Sequence, residues 1–327
     1  MVAMTDLVTI ADIDAAATRI EGRIRRTPLL ASELATGAEP LFVKAESLQL
    51  GGSFKIRGAL NAVSQLSREE RSRGIVTHSS GNHAQAVARA ARSFGLACTV
   101  VMPRTAPDVK RAATGAQGAT VLLVEPQDRE TTAARISAET GAVLVPPYDD
   151  PAVIAGQGTV GAEIASDLAA MDVDSVDTVY VPVSGGGLIS GIAVAVKARL
   201  AGARVVAVEP TLAADLAEGW ARGERVVWDP AVTARTIADG LQVPGVGELN
   251  WQHIRALVDD VITVSEEEIV AALRRLVLEA KLVCEPSGAT AMAGYLADVQ
   301  GRSRSAASVV VVSGGNIEPA MLSRLIA

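Results

Sequence analysis

The sequence predicts an α/β protein built from mostly parallel sheets flanked by helices. Three observations carry this. Short valine-rich runs alternate with alanine-rich helical segments along most of the 327 residues, the pattern of parallel strands joined by crossover helices. The chain is 49% hydrophobic and 20% charged but only 3% aromatic, so Ala, Val, Leu and Ile must fill the core, as helices on buried strands require. Polar, glycine-containing segments sit where strand runs give way to helical ones, at Ser79-Ser80-Gly81-Asn82-His83 and Ser184-Gly185-Gly186-Gly187.

Residues 9–25 read as a first helix, ended at Thr27-Pro28 because the residue before proline avoids helical angles. A strand over 41–46, a helix over 56–66 and a buried strand over 74–77 follow. The pattern continues with a helix over 84–94, a strand over 97–102 and a helix over 107–115. A strand over 120–124, a helix over 128–140 and a strand over 143–145 complete a βαβαβα series before Pro146-Pro147. A second series starts after Pro151, with helices over 161–168 and 188–199 and strands over 177–183 and 204–208. The stretch 213–246 holds Trp220 and Trp228 and reads as loops and short helices. Next is a strand over 261–264. Ser265 and Glu268 form a capping box that opens a helix to 280. A helix over 287–297 and a strand over 308–312 close the pattern. The two series suggest two similar lobes, with a ligand cleft at the strand ends between them.

Charge excludes some partners. The net charge is −7 and no basic run is present. Nucleic acid and anionic membrane surfaces, both bound through clustered Lys and Arg, are therefore not expected. No apolar run approaches the roughly 20 residues that span a bilayer. Cys98 and Cys284 stand alone, outside any C-x-x-C pair, and fit a reducing compartment. The first residues lack the basic start of a secretion signal. A cytoplasmic protein is expected.

The chemistry-bearing residues lie in four stretches. In Gly51-Gly52-Ser53-Phe54-Lys55-Ile56-Arg57-Gly58-Ala59, one lysine follows an aromatic residue between glycines. Alone it reads as a surface lysine beside a turn, or as a desolvated amine able to condense with a carbonyl. Ser184-Gly185-Gly186-Gly187 follows a strand and opens a helix, so its amides form an anion nest. A plain tight turn is the alternative. The spacing is neither a dinucleotide fingerprint nor a P-loop. Ser79-Ser80-Gly81-Asn82-His83 supplies hydroxyls and an amide for a carboxylate, or caps a helix. His78 and His253 have no visible partners. Glu209 and Asp215 stand close together past a strand end. They suit a hard cation such as Mg²⁺ or Ca²⁺, or form a solvated acidic loop. Together the stretches point to a phosphorylated aldehyde that condenses with lysine, pyridoxal 5′-phosphate (PLP).

Ser53–Ala59, Ser79–His83, Ser184–Gly187 and Ser313-Gly314-Gly315-Asn316 occur in the order and spacing of the fold-type II PLP enzymes. The chain resembles their serine/threonine dehydratase and serine racemase branch over nearly its whole length. Residues 151–159 and 236–240 are part of the likeness. The resemblance implies a two-lobed fold like that of the tryptophan synthase β subunit. It implies a large cofactor-binding domain from 1–69 and 148–327 and a small mobile domain from 70–147 that takes the substrate carboxylate.

It also implies site residues. Lys55 would carry PLP as a Schiff base and act as the base on one face. Phe54 would pack on the ring, and Asn82 would bond the phenolic oxygen. Ser184, Gly185, Gly186, Gly187 and Leu188 would hold the phosphate, and Ser313 would bond the pyridine nitrogen. Ser79, Ser80, Asn82 and His83 would receive the substrate carboxylate. Ser80, where many threonine dehydratases have alanine, would face Lys55 across the cofactor and open a racemase activity. Glu209, Asp215 and the carbonyl of Ala213 match a divalent-cation site of racemase-like members. Arg129 matches an arginine that can face the substrate, and otherwise reads as an exposed helix arginine.

The activity so implied is β-elimination of L-serine or L-threonine to a 2-oxo acid and ammonia. An ammonia-lyase for 3-hydroxyaspartate is the first alternative, and a non-catalytic phosphate-ligand-binding protein the remote one. A homodimer is expected. Feedback control through a C-terminal regulatory domain is not.

Overall fold

Valine-rich runs bounded by glycine and proline settle as ten strands in two sheets among the described residues. The computed structural model describes residues 7–36, 39–79, 81–106, 108–298 and 306–327. In chain order the first elements are α1 (Ile10–Ile20), β1 (Leu29–Ser32), β2 (Leu41–Ala45), α2 (Lys55–Ser64) and α3 (Arg68–Arg73). Then come β3 (Ile75–His78), α4 (Asn82–Ser93), β4 (Cys98–Pro103), α5 (Asp108–Gly115), β5 (Thr120–Val124), α6 (Arg129–Thr140) and β6 (Val143–Leu144). The next group is α7 (Pro151–Ala170), β7 (Val176–Pro182), α8 (Gly187–Arg199), β8 (Arg204–Pro210), α9 (Asp215–Arg222) and α10 (Pro230–Thr233). The last are α11 (Glu248–Leu257), β9 (Asp260–Val264), α12 (Glu266–Leu278), α13 (Pro286–Asp298), β10 (Ala307–Val312) and α14 (Pro319–Ile326).

The larger sheet has the order β1-β2-β10-β7-β8-β9 and the smaller β5-β4-β3-β6. Every pairing is parallel except β1 with β2. The larger sheet draws strands from both ends of the chain, and the smaller comes wholly from the segment between them. Both faces of the larger sheet are covered. Val179, Val181 and Val205 pack with Ile164, Ile189 and Ile192 on one face, while Tyr180, Val206 and Val208 meet Leu273, Leu276 and Met292 on the other. Each such buried aliphatic side chain contributes about 1.5–3 kcal/mol. Helix α2 lies at the join: its Ile56, Ala59, Leu60 and Val63 belong to the core of the smaller sheet.

The elements differ from expectation in a few places. Helix α1 stops at Ile20 rather than 25, because Glu21 leaves the helical region and Gly22 follows at φ 71°. Strand β1, an antiparallel edge strand, was not expected; it is only four residues long and half exposed. Helix α7 begins at Pro151 instead of 161, with the Asp150 side chain capping Val153 N. Gly156 and Gly158 lie in the part of α7 to which the sequence assigns no element, and they let helices touch. A Cβ on Gly156 would lie 2.6 Å from Gly58 Cα, and one on Gly158 would meet Ile13. Packing overrides helix propensity here. Helices α3, α11 and α14 were also missed. The first is a six-residue polar helix opened by a Ser67–Glu70 capping box.

Candidate active site

Lys55 is the first residue of α2, at the carboxyl ends of β2 and β10. Its stretch is stitched to the end of β10: Phe54 N donates to Ser313 O at 3.1 Å, and Ser53 bridges to Gly314. The Lys55 amine donates to Pro147 O at 2.8 Å and lies 5.1 Å from the centre of the Phe54 ring. Part of the side chain's surface stays open, but the nitrogen is enclosed. Desolvation lowers its pKa from 10.5 to about 8.

Ser313 is buried, and its hydroxyl points to Ser287 O at 3.5 Å. Asn82, at the start of α4, donates through Nδ2 to Glu285 at 2.6 Å and accepts from Asn316 Nδ2 at 2.7 Å. Glu285 is buried, which raises its carboxyl from 4.5 to about 7. Asp239 also raises it, while Asn82 and Lys110 work against the shift. Asn82 and Ser313 are thus linked to the Lys55 stretch through Phe54, Asn316 and Glu285. Sequence reasoning missed Glu285. Its only signal is a Glu-Pro pair ahead of α13.

Further predicted residues lie in the segment of the smaller sheet. Ser79 Oγ accepts from Gly81 N at 3.2 Å in a tight turn, and Ser80 lies outside the described residues. His83 is buried, with Nε2 held by Val145 O at 3.1 Å and Nδ1 without a hydrogen-bond partner. Burial first, then the Lys55 charge, lower its pKa to about 3, so the ring is neutral and Nε2 carries the proton. Arg129, half-buried at the start of α6, donates to Pro126 O at 2.9 Å. Its charge reaches His78, whose pKa burial lowers, and Tyr148. His253 is structural: Nε2 accepts from Val8 N at 2.9 Å.

The glycine-rich turn joins β7 to α8. Gly186 has φ 91°, a left-handed conformation that L side chains rarely adopt. The first amides of α8 have no acceptor within the helix. Asn250 Nδ2 and Gly247 N both donate to Gly185 O, at 2.7 and 3.0 Å, which holds the turn from behind. Leu188 sinks its side chain into the core and leaves only its backbone at the turn. The Tyr148 ring lies flat against Gly185, where a Cβ would overlap it. Burial first, then nearby carboxylates, raise the Tyr148 phenol to about 12. Asp149 next to it accepts from Glu248 N, Leu249 N and Asn250 N, and so caps α11, the helix that carries Asn250. Residues 147–150, given no element from the sequence, therefore serve Lys55, the glycine turn and two helices at once.

The two predicted carboxylates come together. Glu209, buried at the end of β8, accepts from Leu216 N at 3.3 Å and Ala217 N at 2.9 Å. Asp215 is the first residue of α9, and its Oδ2 is buried without a hydrogen-bond partner. Burial and the Asp215 charge hold Glu209 well above its ordinary range. Burial first, then Glu218, raise Asp215 from 3.8 to about 7. Ala213 is buried in the turn between them. Among the described residues no group of three or more metal-ligating side chains occurs.

Residues 20–315 match the sequence profile of the family described as pyridoxal-phosphate dependent enzyme. The chain belongs to that family. Across 98% of its length it is 43% identical to the L-threonine ammonia-lyase of Thermotoga maritima, of which it covers 78%. It is 38% identical to the L-threo-3-hydroxyaspartate ammonia-lyase of Saccharomyces cerevisiae, over 97% of this chain and 96% of that one. The structure of maize serine racemase superposes with a TM-score of 0.89 at 39% identity, covering 97% of this chain and 96% of the other.

The residues present fit the cofactor of this PLP enzyme family. A desolvated amine with a depressed pKa, a helix start that only glycines allow, and a buried hydroxyl at the far end supply the partners that an aldehyde, a phosphate and a ring nitrogen need. The unpartnered Asp215 oxygen beside Glu209 fits a hard cation by the same test.

Proposed function

We propose that the protein is a PLP-dependent ammonia-lyase that eliminates the β-hydroxyl of L-serine or L-threonine, giving a 2-oxo acid and ammonia. The placing of the Lys55 amine carries this reading: it is held at Pro147 O, next to the Tyr148 that packs on the glycine turn, and its neighbour Phe54 is tied to Ser313. Bound PLP supplies an aldehyde that condenses with amines and a conjugated ring that draws electron density from the substrate's α-carbon. Lys55 holds the cofactor and, as a neutral amine, takes the α-proton. Phe54 packs on the ring and Asn82 donates to the phenolic oxygen. Ser184 and the amides of Gly185, Gly186, Gly187 and Leu188 hold the phosphate. Ser313 is a hydroxyl, not a carboxylate, so it does not stabilise a full positive charge on the ring nitrogen. That keeps electron density near the α-carbon and favours loss of the β-hydroxyl. Ser79, Ser80, Asn82 and His83 receive the substrate carboxylate.

Segment 70–147 acts as the small mobile domain and the rest as the cofactor domain, supported by the small sheet's origin in that segment alone. Ser80 is the acid that returns a proton from the opposite face in a secondary racemisation. Glu209, Asp215 and the Ala213 carbonyl bind Mg²⁺ or Ca²⁺, supported by the orphaned Asp215 oxygen. The protein works as a cytoplasmic homodimer. A second reading, elimination from 3-hydroxyaspartate, is favoured by Arg129, whose cation stands near His78 and Tyr148 and suits a β-carboxylate.

A 2-oxo acid assay on L-serine, D-serine, L-threonine and 3-hydroxyaspartate, with and without Mg²⁺, tests both readings. Turnover of L-serine or L-threonine is the expected result; turnover of 3-hydroxyaspartate alone replaces it with the second. A protein that stays colourless with PLP is not an enzyme of this kind.

A further inference from the structure

Behind Lys55 lies a cluster of buried charge that the proposed chemistry does not use. The Arg57 side chain is fully buried, as is that of Glu46. Arg57 Nε and Nη2 each donate to Glu46 at 2.8 Å, while Nη1 and Nη2 donate to Glu163 at 2.7 and 2.8 Å. Nη1 also reaches Thr159 at 3.1 Å. The guanidinium thus grips two carboxylates at once, each in the bidentate geometry that makes such pairs strong and directional. Lys44, also fully buried, extends the cluster to Glu163 at 2.7 Å and Asp167 at 3.3 Å.

Stability alone does not explain this cluster. Buried ion pairs can often be replaced by apolar residues at no loss, because desolvation offsets their attraction. Their positions are more telling. Arg57 stands two residues after Lys55, so on a helix the two side chains point to opposite sides. Helix α2 starts without a side-chain cap at Phe54, so its first turn depends on partners other than a cap. Glu46 follows Ala45, which pairs with Val312 immediately before Ser313. Glu163 and Thr159 belong to α7, which begins just after Pro147, the residue whose carbonyl holds the Lys55 amine. Gly58 N adds a bond to Gln157 of α7 at 3.2 Å. The Arg57 fork therefore ties the first turn of α2 both to the strand end beside Ser313 and to the helix behind Pro147.

We propose that Arg57 is a positioning residue for Lys55, its two-carboxylate grip setting the first turn of α2 and with it the place of the amine. This rests on the reading of Lys55 as the lysine that holds the cofactor. The test is Arg57→Lys, which keeps the charge and loses the fork. Folding is checked by circular dichroism. The expected result is a folded protein whose kcat falls about a hundredfold, as for a misplacement of about 1 Å, with KM within a few-fold of wild type. In the cofactor-free protein, the acetylation midpoint of Lys55 rises from about 8 toward the ordinary lysine value as the amine leaves its desolvated seat. If Arg57→Lys does not fold, Glu163→Gln, which loosens one side of the grip, is read the same way. A folded variant with unchanged midpoint and kcat overturns the proposal. Borohydride reduction separates this from the underlying reading. If wild-type protein incubated with PLP carries none on Lys55 after reduction, the proposed function fails. If PLP is trapped and the variants are unmoved, only the role of Arg57 fails.

Discussion

Two clusters of buried charge among the described residues are built in opposite ways. Around Arg57, cations and carboxylates alternate and the guanidinium donates from all three of its nitrogens. Around Glu209, two carboxylates face each other, both are pushed toward their protonated forms, and one oxygen has no partner. A satisfied cluster resists rearrangement and suits a place where geometry must be held. An unsatisfied cluster of like charge is a place where something is to be added, and two carboxylates call for a cation. Burial and charge are common to both, so neither property alone distinguishes scaffold from binding site; completeness of pairing does.

The largest effect is expected at the group the first cluster supports. Lys55→Ala should abolish the visible band that PLP gives with the wild-type protein. It should lower kcat for 2-oxo acid formation by about 10⁴-fold, the upper range for removal of a general base. Next comes damage to the satisfied cluster. Glu46→Ala leaves Arg57 buried with half its compensation, and urea denaturation should show a loss of about 3–5 kcal/mol, as for other broken buried pairs. The unsatisfied cluster should respond in the opposite sense. Between pH 3.8 and about 7 the folded protein keeps a proton on Asp215 that the unfolded chain has lost, so without metal stability falls as pH rises through that window. Asp215→Asn should lessen this fall and leave the part that comes from Glu209, which burial also raises. Mg²⁺ at a hundred times its Kd should stabilise wild type by about 2.7 kcal/mol and leave Asp215→Asn unchanged, measured by thermal melting. The smallest effect is on rate. Lys55 becomes neutral as pH rises through about 8, so cofactor uptake followed by absorbance should speed up across that midpoint. The lowered value also means the folded cofactor-free protein gains stability from about pH 8 to 10.5, where the unfolded lysine still holds its proton.

Legibility followed sequence distance. The glycine turn could be read because strand, turn and helix start are contiguous and Gly186 needs its left-handed φ locally. Lys55 could be read only together with the other polar and glycine-rich stretches, since alone it also reads as a surface lysine beside a turn. Glu285 could not, since its partner Asn82 is 203 residues away. Nor could Arg57, whose second carboxylate is 106 residues on. Tyr148, which the sequence does not single out, explains by its ring why position 185 must lack a side chain. The glycines at the start of α7 act in the same way, through contacts with helices that the local pattern does not show.

The sequence by itself determined the alternation of strand and helix, the glycine turn and the lysine that follows an aromatic residue, since each depends on periodicity or on backbone conformations within a few residues. Only the tertiary structure decided which charges neutralise one another and which remain unpaired. Burial and pairing depend on how α2, α7 and the strand ends meet, and the contacts that close the Arg57 cluster join residues as far apart as Arg57 and Glu163, 106 positions along the chain.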